Sequence, residues 1–404
     1  MLSGMARIDA GSSTHEHADA ELRRLYGIVG VAGAAFIPFY ALLLRDRGLS
    51  ADRIGLILAA TSLAGVVATP FWSHAADTRF GSVHTLQLAC GIACVADLAL
   101  LATGSSIVAI AACAVVLGAA QGPQTAMTDA LTLAQLGPLR LTEYGSFRVW
   151  ASIGWGVGAV AFGAVFAALG LDAMLPVAAI GIAVVAVFVS RLPSGRPPPR
   201  QARAGRFGSV GDAFRARRMP TFLLGVLLLA TSTHAAWDFV PLRIAAGGGG
   251  PFLVGISSGV SAFVEIPFMR STTSLAQRIG LRRVFALGAV VYVAASVAWA
   301  LVSDAVAVTA IRIAIGVGFG LVYPTLVVIT GRLVPDRVRN SGQALMSICS
   351  FGLAPVIGGA IGGVVYQHVG PSWLFAGSAV GIAVGAVVVW SAARVLDRLA
   401  PASN

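Results

Sequence analysis

The amino-acid sequence predicts an all-α membrane protein of twelve transmembrane helices, arranged as two pseudo-symmetric six-helix bundles. Three observations carry this. Apolar residues make up 57% of the 404-residue chain and charged residues only 11%, against about 25% in ordinary soluble domains. The apolar residues fall into twelve stretches of about 20 residues, each long enough at ~1.5 Å per residue to cross a hydrocarbon core of roughly 30 Å. Those stretches form two groups of six, divided by an arginine-rich segment over 191–219. With no water in the bilayer core, every backbone polar group there must bond internally, so each span is expected to be helical.

Residues 1–24 are polar and carry no apolar core before a cleavage site, so they are expected to form a cytoplasmic tail and not a secretory signal. The first bundle covers 25–190, with spans at 25–44, 54–73, 83–103, 106–128, 142–168 and 172–190. Span one carries Phe36-Ile37-Pro38-Phe39 near its external end. Spans two and three are joined by a short charged loop, Asp77-Thr78-Arg79-Phe80-Gly81. Span three holds Asp97, and span four holds a GxxxG at Gly118/Gly122, followed by Asp129 at its inner end. Span five opens with Arg148 and Trp150 and continues through Gly154-Trp155.

The 191–219 segment is expected to be a cytoplasmic linker, leading into a second bundle over 220–393 and a cytoplasmic tail over 394–404. The second-bundle spans fall at 221–242, 252–273, 284–303, 306–329, 342–366 and 371–392, and they repeat the signals of the first. Phe239-Val240-Pro241-Leu242 matches the Phe-x-Pro of span one. Gln277-Arg278-Ile279-Gly280-Leu281-Arg282-Arg283 matches the charged loop, and Gly316/Gly320 matches the GxxxG. Three correspondences in one order, about 200 residues apart, imply a duplicated unit. Small residues four apart let helices approach where lipid supplies no hydrophobic drive. Tyr323-Pro324 is expected to bend span ten.

All 28 basic side chains are arginine. Without lysine there is no Walker A site, no pyridoxal Schiff base and no serine-lysine dyad, so ATP-driven pumping by this chain alone is excluded. The run Gly247–Gly250 therefore reads as a flexible external loop. With both termini inside, the cytoplasmic segments hold most arginines, including Arg23, Arg24, Arg140, the 191–218 cluster and Arg394, while external loops keep Arg45, Arg47, Arg53 and Arg243. The net charge of +11 is thus a topology signal, placing a multi-pass protein in the inner (plasma) membrane. The arginines are parcelled among loops, so nucleic acid is not an expected partner. Cys90, Cys94, Cys113 and Cys349 sit within spans as packing residues, and neither metal nor cofactor is implied. Trp72, Trp150, Trp299, Trp373 and Trp390, near span ends, are expected to be interfacial anchors. No HExxH is present and no metal cluster is expected, so no enzyme is expected.

Ionisable groups inside spans cost roughly 2.5–3.5 kcal/mol each and are expected to face an interior. They are Asp97, Asp129, Asp238 and Glu265 against Arg148 and Arg312. His234 and Asp238, four residues apart, share a face of span seven with Trp237 beside them, giving an aromatic wall and a titratable pair. Glu265 precedes Pro267, which frees a backbone carbonyl, and it is the candidate proton carrier. A fixed salt bridge with Arg312 is the competing reading. The expected activity is secondary transport of a small organic solute, an aromatic carboxylate, a sugar or a nucleoside, by proton symport and alternating access. Proton-antiport export of sugars or drugs is the runner-up, and a non-transporting membrane sensor the third reading. A monomer is expected, with the lipid bilayer, solute and protons as its partners.

The two charged loops resemble the signature loop of the major facilitator superfamily, with Ser73 in place of its first glycine and Gln277 in place of the second-half acid. That resemblance makes Asp77, Arg79, Gln277, Arg278 and Arg282 gating residues. Tyr144-Gly145-Ser146-Phe147-Arg148-Val149-Trp150, Thr128-Asp129-Ala130-Leu131, Thr233-His234-Ala235-Ala236-Trp237 and Glu265-Ile266-Pro267 resemble the proton-symporter branch that includes the phenylpropionate and lactose permeases. The resemblance implies that Arg148 and Trp155 bind substrate and that Asp129 is the resting partner of Arg148; from their own positions, His234 and Trp237 are candidate substrate residues, and Glu265, Asp238 and Arg312 candidate proton-coupling residues. Glu265-Ile266-Pro267-Phe268-Met269 also resembles the sugar efflux branch.

Overall fold

A computed structural model describes residues 2–136, 144–191, 206–216 and 218–397. Arg140, most of the linker and the tail from 398 onward lie outside the described residues. The helices are α1 (Leu2–Phe36), α2 (Tyr40–Asp46), α3 (Ala51–Ala75), α4 (Gly81–Leu101), α5 (Ile107–Leu136), α6 (Tyr144–Leu169), α7 (Met174–Val189) and α8 (Arg206–Arg215). The second half holds α9 (Met219–Trp237), α10 (Val240–Ala246), α11 (Pro251–Ile279), α12 (Leu281–Leu301), α13 (Ala305–Leu333), α14 (Arg339–Ser347), α15 (Ala354–His368) and α16 (Pro371–Asp397).

Among the described residues eleven stretches are long and apolar enough to cross a membrane, and the longest, Ala51–Leu101, holds both α3 and α4. Arg47, just before α3, donates to the carbonyl of Leu100 at the end of α4 at 2.6 Å. These helices therefore run antiparallel, turning at Gly81 with φ 73, a left-handed conformation that suits glycine. Twelve passes result. The expected N-terminal tail is instead continuous with pass one, because residues 2–24 contain no proline to stop α1.

Passes one and seven, expected to be unbroken, are interrupted near the face opposite the termini, here called the far face. Pro38 and Pro241 lack the N–H that would continue each helix. The two breaks share one geometry: Phe39 adopts φ −104, ψ −9 and Phe239 adopts φ −105, ψ −2, and both rings are fully buried. A second parallel follows. Arg47 holds the end of α4, and Arg243 donates from Nη2 to the carbonyl of Val302 past the end of α12 at 2.9 Å. Arg243 is thus a buried cap inside α10 and not the loop residue expected.

Both GxxxG pairs make close helix contacts. Gly118 and Gly122 of α5 lie against Thr61 and Gly65 of α3, while Gly316 and Gly320 of α13 lie against Ser261 and Glu265 of α11. Within the first half α1 packs on α6 and α7, and α5 on α3 and α4. Within the second, α9 packs on α15 and α16, and α13 on α11 and α12. The halves meet along α6 against α11 and α3 against α15.

In the 247–250 loop a Cβ on Gly247 would lie 2.9 Å from Ala305 N and one on Gly249 2.6 Å from Ile244 Cγ2, while Gly248 and Gly250 have open space around them. Two of the expected interfacial anchors are placed differently. Trp299 is fully buried and donates to Val308 O at 3.0 Å, and Trp72 donates to Ala119 O at 2.8 Å, so both tie helices together. Trp373, 68% exposed, has the exposure an interfacial anchor requires. Helix α13 continues through Pro324. The carbonyl this proline leaves free, that of Gly320, is reached at 2.9 Å by the Thr272 hydroxyl of α11, which shares its proton with the carbonyl of Phe268 at 2.8 Å.

Candidate functional site

Two seams of small residues join the halves at the far face. Between α3 and α15, a Cβ on Gly55 would lie 2.8 Å from Gly363 Cα, and Ala51 N–H donates to Gln367 Oε1 at 3.0 Å. Between α6 and α11, a Cβ on Gly163 would lie 3.0 Å from Gly255 Cα, and one on Gly259 2.8 Å from Gly156 O. Only glycine permits backbones this close. Deeper in, the seam between α6 and α11 becomes polar. Trp155 Nε1 donates to Ser258 Oγ at 2.8 Å, and Ser152 Oγ donates to Glu265 Oε1 at 2.7 Å. At a similar depth Gly352 approaches Val66, where a Cβ would lie 3.2 Å from Cγ2. Past this level, toward the termini, Arg148, Arg270 and Phe351 are exposed.

Glu265 is held where the two halves touch. Gly320 packs against its backbone, Ser152 bonds its carboxylate from the other half, and Arg148 and Arg312 lie within electrostatic range. The anticipated alternative, a fixed Glu265–Arg312 salt bridge, is not formed between these described residues. Arg312 reaches the carbonyl of Ser257 at 3.4 Å, and its guanidinium lies 5.7 Å from the Trp237 ring centroid. Its Nη1 is buried without a hydrogen-bond partner among the described residues. His234 Nδ1 lies 3.9 Å from Asp238 Oδ1, a loose pair with each side chain about a quarter exposed.

The expected resting pair of Asp129 and Arg148 is not present either. Tyr26 of α1 donates its hydroxyl to Asp129 Oδ1 at 2.7 Å, a neutral donor taking the place of the guanidinium. Arg148 is left exposed, facing Tyr323 of the other half, whose surroundings also include Asp129. Asp97 lies apart from this group, fully buried within the first half. The loop residues lie at the end that carries the termini: Asp77 and Arg79 on the π-helical turn Ala76–Phe80, Gln277 and Arg278 at the end of α11, and Arg282 with its guanidinium 4.1 Å from the Trp390 ring centroid.

Sequence reasoning missed an aromatic row on the second half. From Trp237 it runs to Phe319 (6.1 Å between centroids), Tyr323 (5.4 Å) and Phe351 (5.4 Å), with Tyr292 edge-on to Trp237 at 5.8 Å. The spacing of Phe319 and Tyr323, four apart on one helical face, is the signal that would have found it. Ser152, Ser258 and Tyr26 were missed too, because nothing distinguishes a serine or tyrosine in a span before its partner is known.

Helical bundles joined by glycine seams at one face, with charged groups of both signs and a row of rings at mid-depth, define a multi-pass membrane transporter of small solutes. Residues 25–377 match the model of the MFS_1 like family, and the chain belongs to that family. It is 27% identical over 362 residues to the maltose permease of Geobacillus stearothermophilus, covering 87% of this chain and 89% of that protein. It is 23% identical over 371 residues to the uncharacterized transporter YwbF of Bacillus subtilis (strain 168), covering 87% of each. Its fold is similar to the crystal structure of nucleoside transporter NupG, with a TM-score of 0.79 at 15% identity, covering 93% of this chain and 99% of that one.

Proposed function

We propose that this protein imports a neutral, polyhydroxylated solute of the sugar class by proton symport, with the termini in the cytoplasm and the pathway open to that side in the conformation described. The observation that carries the reading is the Ser152–Glu265 bond, which joins the halves through an ionisable group at mid-depth. A charged acceptor strengthens such a bond roughly twofold over a neutral one, so proton uptake by Glu265 weakens one tie between the bundles. Protonation and bundle movement are then linked, as coupling demands.

The charges support a neutral solute. Asp129, Asp238 and Glu265 stand against Arg148 and Arg312, so a carboxylate ligand would meet more anions than cations. Hydroxyl pairs instead bond both carboxylates and guanidinium forks, and the apolar face of a sugar ring fits the row from Trp237 to Phe351. The likeness to a maltose permease supports the same class. The sequence resemblance to the lactose permease branch points the same way, and the arginine distribution supports the orientation.

Proteoliposomes with an imposed pH gradient test this. Wild-type protein is expected to accumulate a labelled sugar against its concentration, and Glu265→Gln to exchange sugar without accumulating it. Wild-type uptake indifferent to the gradient, or full accumulation by the variant, removes the proposed coupling. Gradient-driven loss of sugar from loaded vesicles would replace symport with antiport.

A further inference from the structure

The segment between the halves carries a feature that solute transport leaves unused. From Arg191 to Arg218 the sequence contains eight arginines and a single acid, Asp212. That acid is already engaged, with Asp212 Oδ2 3.7 Å from Nη2 of Arg337. Helix α8 is docked at this point, resting on α9, α14 and the short turn Asp336–Val338, with Ala213 fully buried. Its placement is rigid in a second way. Arg218 adopts φ 67, a left-handed conformation unusual for a residue with a Cβ, immediately before the fully buried Met219 that opens pass seven.

The docked helix leaves an apolar edge uncovered. Val210 and Phe214, one turn apart, are 38% and 48% exposed, and Arg215 and Arg218 are exposed beside them in sequence. Because α8 ends four residues before pass seven begins, this edge lies at the level where hydrocarbon gives way to headgroups. We propose that α8 and its arginines form a binding site for anionic phospholipid: Val210 and Phe214 enter the acyl boundary while guanidinium groups take the phosphate. Amphipathic helices with basic flanks settle at this depth, and the planar fork of arginine matches a phosphate better than a point charge does. Two apolar side chains are too few for a stable protein partner, which needs roughly 800 Å² on each side. The lone acid is paired with Arg337 at 3.7 Å, so the remaining charge of the 191–218 segment is of one sign and complements an anionic leaflet.

Native mass spectrometry of the purified full-length protein tests the site, with phosphatidylglycerol, phosphatidylcholine and inorganic phosphate as probes. Phosphatidylglycerol adducts are expected to outnumber phosphatidylcholine adducts, with inorganic phosphate failing to displace them. Replacing both Arg215→Gln and Arg218→Gln is expected to weaken phosphatidylglycerol binding about 30-fold, from two arginines near an anionic surface. Arg215→Lys with Arg218→Lys keeps the charge and is expected to lose less, and Phe214→Ser to shorten adduct lifetime, all with unchanged melting temperature. Equal retention of the two lipids overturns the proposal, as does a preference that survives the glutamine pair. Displacement by inorganic phosphate alone overturns the membrane component, and selective capture of a soluble acidic protein by the same arginines would replace the lipid.

Discussion

Arg148, like Arg312, keeps its charge and finds no ion-pair partner among the described residues, but Arg148 is exposed where Arg312 is partly buried. The Tyr26 hydroxyl explains how Arg148 is left open to a ligand: by satisfying Asp129 it removes the acid that would otherwise close the pair. Removing a charge-assisted hydrogen bond costs roughly 1.5–3 kcal/mol, so Arg148→Gln is expected to raise the KM for sugar about 10- to 100-fold. Arg148→Lys is expected to recover only part of this, because one ammonium cannot bridge two hydroxyls as a fork does. Uptake kinetics on the two variants check both, and a KM unchanged in Arg148→Gln would remove this residue from the substrate site. Arg148, Glu265, His234 and Arg312 were legible in the sequence because a charge inside an apolar span is costly enough to need a reason. Tyr26, Ser152 and Ser258 carry no such penalty, and only the fold shows what they bond. The pairing of Asp129 was misread for the same reason, since a tyrosine 103 residues away leaves no local signal.

Among the elements, the prolines show how a transporter helix keeps its hydrogen bonds while losing a donor. Pro38 and Pro241 end α1 and α9 and start short helices, whereas Pro324 leaves α13 intact. Pro70 and Pro267 likewise lie within the unbroken helices α3 and α11, so an interior proline need not end a helix, and at Pro324 the freed carbonyl has a partner on a neighbouring pass. Thr272 of α11 supplies the bond that residue 324 cannot, and because Gly320 has no side chain, α11 comes close enough to reach its carbonyl. Thr272→Val is therefore expected to orphan a buried carbonyl and destabilise the protein by about 1–3 kcal/mol. In a Pro324→Ala background the restored N–H bonds the same carbonyl, so the Thr272→Val loss is expected to shrink to well under half. Denaturant titration of the four proteins reads this coupling. Additive losses would show that Thr272 stabilises α13 by other means. The sequence announced twelve spans and the Phe-x-Pro repeat, yet not which prolines interrupt a helix: Pro70, Pro267 and Pro324 leave theirs unbroken and carry no local signal that sets them apart from Pro38 and Pro241. The π-helical turn at Ile348–Leu353 was equally silent, being built from ordinary apolar residues, one serine and one glycine.

For the whole molecule, the proposed transport cycle makes the glycine seams and the polar seam beneath them the contacts that set the balance between conformations. Rocking of two bundles about a mid-depth site requires that the far-face contacts form in one state and break in the other. They are made of backbone against backbone, with Gly55 on Gly363 and Gly163 on Gly255, and such contacts have no side chain to fold aside when something larger is introduced. Gly363→Leu is expected to prevent the α3–α15 seam from closing while leaving each bundle intact, since the glycine faces the other half. Spin labels on Ser50→Cys and Val369→Cys, at the far-face ends of the two bundles, read the outcome as a distance distribution. The unmodified protein should show one short separation and the leucine variant a longer population, with sugar binding retained and turnover lost. The sign of the shift matters most: the same short separation in both proteins would mean that the seam yields locally, and that the halves do not part there during transport.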